Sequence, residues 1–110
     1  MIVTHTHEAV LTTLVDQIMS CGVYHKIWRN LDYYNNNLVG EVDALGYIKL
    51  SDLYHFYEVK STASRSSIKK ANKQYRRWQN AYPELASRGF FVSPEVMFEL
   101  GTEYKCPRTF

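Results

Sequence analysis

The 110-residue chain, 45% apolar and 15% aromatic, is long enough for one domain with its own core and too short for two. That composition excludes a disordered chain, because apolar and aromatic side chains supply the burial that offsets chain entropy. The net charge of +2 conceals a segregation: residues 59–83 carry seven basic side chains and no acidic one, against six basic and eleven acidic elsewhere.

Ala9, Leu11, Leu14, Val15, Ile18 and Met19 recur at helical spacing and predict a first helix over 5–20, with Thr4 or Thr6 to cap it and Gly22 after its end. β-Branched and aromatic residues predict a strand over 23–29, and Asn35-Asn36-Asn37 a turn. Strands over 39–48 and 54–61, joined by a short loop around Leu50-Ser51-Asp52, are expected to form an antiparallel hairpin. The clearest helix spans 64–82, where Ile68, Ala71, Tyr75, Trp78 and Tyr82 form one stripe and Pro83 stops the helix. Gly89-Phe90-Phe91-Val92 reads as a buried strand, and Ser93-Pro94-Glu95 as the cap of a short last helix. The order α-β-β-β-α-β, without repeats, predicts an α/β domain over 1–110 with a mixed sheet flanked by helices.

Strand alternation puts Glu41 and Asp43 on one face, and Phe56, Glu58 and Lys60 on one face of the next strand. If the hairpin register brings Asp43 opposite Glu58 or Lys60, three charged groups converge. Carboxylates held that close raise each other's pKa unless a cation neutralises them. Phe56 on the same face as Glu58 points to a partly buried strand rather than a solvated charge face. Hard oxygen donors suit Mg²⁺, with Mn²⁺ able to substitute, rather than zinc. Cys21 and Cys106 fall in no C-x-x-C or Cys/His cluster, and His5 and His7 make only a weak candidate pair.

These residues resemble a known signature. Gly40-Glu41-Val42-Asp43, then Phe56-Tyr57-Glu58-Val59-Lys60 with fourteen residues between Asp43 and Glu58, is similar to the D-x(n)-[DE]-x-K motif of the PD-(D/E)XK, or restriction-endonuclease-like, superfamily. Its small Holliday-junction-resolvase-like nucleases often read G-E-[IV]-D and F-x-E-V-K. Val42 stands where the name-giving motif has proline. The resemblance implies a restriction-endonuclease-like fold and divalent-metal-dependent hydrolysis of DNA phosphodiester bonds. Asp43 and Glu58 would be metal ligands, the Val59 carbonyl a further ligand, Lys60 the catalytic lysine and Glu8 the first-helix glutamate. Glu41 could substitute for or assist Glu8 as an additional acid, or simply face solvent. Gln74 and Gln79 resemble the glutamine-tyrosine motif of exonuclease branches, although their spacing to Tyr82 fits poorly.

The helix over 64–82 presents Arg65, Lys69, Lys70, Lys73, Arg76 and Arg77 as a single-signed basic face, suited to DNA phosphates. Ser64, Ser66 and Ser67 could add donors at its start. A small DNA-contact surface, and the two-fold dimers of small relatives, lead to the expectation of a homodimer, with Trp28, Tyr33, Tyr34 and Phe110 as interface material. No run approaches the roughly 20 apolar residues of a membrane span. The start MIVTHTHEAV also lacks a signal-peptide pattern, so a soluble cytoplasmic protein is expected. The alternatives are an exonuclease or single-strand nuclease of the same fold, and a non-catalytic nucleic-acid-binding module using the basic helix.

Overall fold

The Thr6 hydroxyl accepts the Ala9 N–H at 3.1 Å and so starts the first helix, α1 (His7–Ser20). Gly22, at φ +73, takes the left-handed conformation that releases the chain from it. The computed structural model describes residues 6–101; Thr4, His5, Cys106 and Phe110 lie outside them. The remaining elements are β1 (Lys26–Asn35), β2 (Asn37–Ile48), β3 (Leu53–Val59), α2 (Arg65–Ala81), β4 (Ser87–Val92) and β5 (Met97–Leu100).

One mixed sheet holds all five strands in the order β1-β2-β3-β4-β5. Every neighbouring pair is antiparallel except β3 and β4, which run parallel with α2 as the crossover between them. Each helix covers one face. Leu11, Leu14 and Ile18 of α1 pack with Ala44, Tyr57, Val59 and Val92. On the other face Ala71, Tyr75 and Trp78 of α2 pack with Val42, Phe56 and Phe91. The apolar stripe read from residues 68–82 is therefore the buried side of α2, and its Trp78 is, with Phe56 of β3 and Phe91 of β4, among the largest fully buried side chains of the described residues. Ser64 caps α2, and Ser67 answers through a reciprocal capping box. No helix among the described residues is long and apolar enough to cross a membrane.

Two elements differ from the sequence expectation. The first strand begins and ends later than 23–29, because Tyr24 leaves the strand line. Its ring lies over Gly46, where a Cβ would sit 2.4 Å from it, and its hydroxyl bonds His55 Nδ1 at 2.6 Å. The polar residues that follow pair with β2 instead of forming a loop. The expected last helix is strand β5. The Ser93 N–H donates to the Val96 carbonyl at 3.0 Å and the Ser93 hydroxyl accepts the Glu95 and Val96 N–H groups, which closes a turn. Phe98 and Leu100 then alternate with period 2, and Phe98 stacks on Phe91 at 5.0 Å.

The β1–β2 ribbon changes face midway. Trp28, Leu31 and Tyr33 pack towards α2 whereas Ile27 packs towards α1, and on β2 Val42 and Leu45 face α2 around Ala44, which faces α1. The reset falls where Asn30, at φ +53, stands across from Asp43 without pairing. Asparagine tolerates this left-handed conformation better than most residues. The kink takes Asp43 out of regular alternation at the point where the site is built.

Candidate functional site

Pairing between β2 and β3 runs from Ile48/Leu53 to Ala44/Tyr57 and stops there. One residue on, the Val59 N–H donates to Asp43 Oδ2 at 2.8 Å, so a side chain takes the place of the next ladder partner. Asp43 is buried at 6% exposure and Glu58 at 3%. On the other side of β3 the strand stays paired, Glu58 with Phe91 and Val59 with Val92, and the Lys60 N–H donates to the Val92 carbonyl at 2.8 Å. Glu58 is thus held by β4 while Asp43 is drawn in by β3.

Lys60 Nζ lies 3.6 Å from Glu58 Oε2 and donates to Gln74 Oε1 at 3.1 Å. Glu58 Oε1 is buried and has no hydrogen-bond partner among the described residues, which is costly for a carboxylate. Burial is the first cause of a strong upward shift, and repulsion from Asp43 the second. Together with a smaller push from Glu41 they outweigh the attraction of Lys60 and bring the Glu58 pKa to about 8. A group so placed is a functional-site candidate.

Asp43, Glu58 and Lys60 are therefore brought together, as the motif spacing leads one to expect. Val59 contributes its N–H to Asp43, and its side chain is fully buried. Glu41 is exposed across from Asp32, close enough to Glu58 to add to the repulsion. Glu8 does not join them in any described contact: Arg29 of β1 holds its carboxylate in an exposed ion pair and also bonds Thr12. From the same turn of α1 it is His7 that reaches in, with Nε2 3.3 Å from Asp43 Oδ2. His7 and Gln74 are the two residues whose place at the site was missed. No local signal marks His7, whose reach to Asp43 follows from where α1 packs on Ala44 and Val59. The spacing of Gln74 to Tyr82 hides its role, because its partner is Lys60.

Along α2, Arg65, Lys69, Lys70, Lys73, Arg76 and Arg77 are all exposed, and none forms an ion pair among the described residues. Their charge is uncompensated on the helix that also supplies Gln74 to the site. No protein-family model matches the chain, and no curated protein matches its sequence.

The donor set suits a hard cation. No three His, Cys, Asp or Glu side chains form a metal cage among the described residues, but Mg²⁺ commonly uses one or two carboxylates and keeps several waters. Two buried carboxylates, one with an unpartnered oxygen, fit that pattern.

Glu58 also makes stability depend on pH. Its ordinary value is 4.5 and its folded value about 8, so between them the folded protein binds more protons than the unfolded chain, and stability falls as pH rises through that window. In EDTA, the unfolding free energy from urea titrations should drop from pH 5 to pH 8 by an amount on the order of a few kcal/mol, and Glu58→Gln should flatten the profile and be the more stable protein at pH 8. Parallel profiles for the two proteins would refute this placement of Glu58.

Proposed function

We propose that the protein is a divalent-metal-dependent deoxyribonuclease with a restriction-endonuclease-like core, its α-β-β-β-α-β order extended by the edge strand β5. The observation that carries the proposal is the buried Asp43–Glu58 pair with Lys60 beside it. Like charges in a low-dielectric setting are unfavourable unless compensated, and the lysine alone leaves Glu58 strongly shifted.

Asp43 and Glu58 would hold the cation, with the Val59 carbonyl a candidate donor at the same point of β3. When bound, such a cation supplies Lewis acidity at a phosphoryl oxygen and acidifies water at neutral pH. The Val59 N–H fixes the Asp43 carboxylate, so one oxygen is positioned by backbone rather than by a mobile side chain. Gln74 and Glu58 hold the Lys60 ammonium from two sides, which keeps a positive charge where the attacked phosphate gains negative charge. The exposed cations of α2 would bind the phosphate backbone. A two-fold dimer acting on one DNA is part of the proposal, since closed symmetry doubles a small contact surface.

Asp43→Asn, Glu58→Gln and Lys60→Ala are each expected to abolish Mg²⁺- or Mn²⁺-dependent cleavage while the protein stays folded. The assay should cover four-way junctions, linear duplexes and single strands, with EDTA as control. Near-native cleavage by Asp43→Asn in Mg²⁺ would remove the mechanism, and DNA binding without cleavage by the wild type would leave a binding module. The triple variant Lys69→Ala, Lys73→Ala, Arg76→Ala should weaken binding alike across DNA sequences and lower the salt slope by about one counterion per lost contact. An unchanged slope would put the DNA path elsewhere.

A further inference from the structure

The β1–β2 hairpin continues well past the last residue of β2 that pairs with β3. Pairing with β3 reaches only Ala44, yet β1 and β2 stay in register to Asn35 and Asn37. The six residues from Val42 to Asn37, five steps of about 3.3 Å, make a two-stranded ribbon roughly 17 Å long. Such a ribbon is marginal alone, and its root is anchored. Val42 and Tyr33 are buried, the Tyr33 ring lies 6.1 Å from Tyr82 at the end of α2, and Gly40 leaves room for it, since a Cβ there would meet the Tyr33 hydroxyl at 2.8 Å. Tyr33 also packs in one cluster with Val42, the neighbour of Asp43, and with Ala71, Tyr75 and Trp78 of α2, which puts the root beside both the carboxylate site and the basic helix.

The tip is different. The register shifts between Tyr33 and Tyr34, and Tyr34 and its cross-strand partner Leu38 are 58% and 59% exposed. Asn36, at φ +78, closes the turn beside them. An aromatic ring and a leucine side by side, next to the exposed Asn36 and Asn37, offer far less than the roughly 800 Å² per partner of a stable protein interface. They match the size of one or two bases, which stack on aromatic and apolar side chains.

We infer that the Tyr34–Leu38 tip stacks on unpaired bases, so that the site's preferred substrate is DNA with single-stranded nucleotides next to a duplex, as at a fork or junction. The inference rests on the nuclease proposal for the position of the cut phosphate. β2 links the two directly, with Leu38 at the tip and Asp43 at the carboxylate pair.

The test is binding in EDTA, independent of cleavage, to a forked DNA carrying 2-aminopurine as its first unpaired base and to a blunt duplex. The wild type should prefer the fork and quench the probe. The Tyr34→Ala, Leu38→Ala double variant should lose about tenfold in fork affinity, within the range of stacking one base, with duplex affinity and melting temperature unchanged. Tyr34→Phe should behave as wild type. An unaltered fork preference in the double variant, or equal losses on fork and duplex, would overturn the inference. So would a change in sedimentation alone, which would make the tip a protein contact. Fork preference that depends on Tyr34 but without Mg²⁺-dependent cleavage would uphold the tip's role and remove the nuclease proposal, whereas cleavage with an indifferent Tyr34 would do the reverse.

Discussion

The hydrogen bond from the Val59 N–H to the Asp43 carboxylate stands where β2 and β3 stop pairing, and much of the molecule is arranged around it. A buried N–H on a strand must find an acceptor. By supplying one from a side chain, Asp43 satisfies the backbone and at the same time becomes a buried carboxylate one strand away from Glu58. The kink at Asn30, the early end of the ladder and the free run of the hairpin beyond Val42 all meet at this residue. Replacing a ladder bond with a carboxylate is a weak way to build a sheet and a direct way to place a charge.

The two helices divide the remaining work. α1 seals one face with aliphatic side chains and sends His7 from its first turn to Asp43. α2 seals the other with Trp78, Tyr75 and Ala71, turns Gln74 to Lys60 and leaves its cations in solvent. A phosphate chain attracted to the outer side of α2 would lie along the same helix that orients the lysine. Binding and chemistry would then share one rigid element, which favours precise placement.

The long stripe of residues 68–82 and the alternation of 54–59 were legible because each element presents one clear period to one layer of core. β1 was harder, since Asn30, Asp32 and Asn35 look like loop residues, yet Asp32 and Asn35 pair with Glu41 and Asn37 because β2 lies beside them, while Asn30 stays out of the ladder. The Ser93-Pro94-Glu95 segment carries the same side-chain chemistry at a turn as at a helix start, and only the period-2 placement of Phe98 and Leu100 against Phe91 distinguishes the outcome. In the site, Asp43, Glu58 and Lys60 follow from one hairpin and its motif. His7, Gln74 and the diversion of Glu8 to Arg29 depend on how helices cross the sheet, a long-range matter that local spacing does not encode.

If the Asp43–Glu58 pair is the cation site we propose, its charge is incomplete without the cation. With Glu58 near pKa 8, it is mostly protonated at pH 7, and binding Mg²⁺ or Mn²⁺ there requires that proton to leave. Calorimetric titration of the protein with Mn²⁺ at pH 7, in buffers of different ionisation enthalpy, reads that proton directly. Release of about one proton per bound cation is expected at pH 7, falling towards none by pH 9.5, with no site in Asp43→Asn. Cation binding without proton release at pH 7, or binding undiminished in Asp43→Asn, would contradict the proposal.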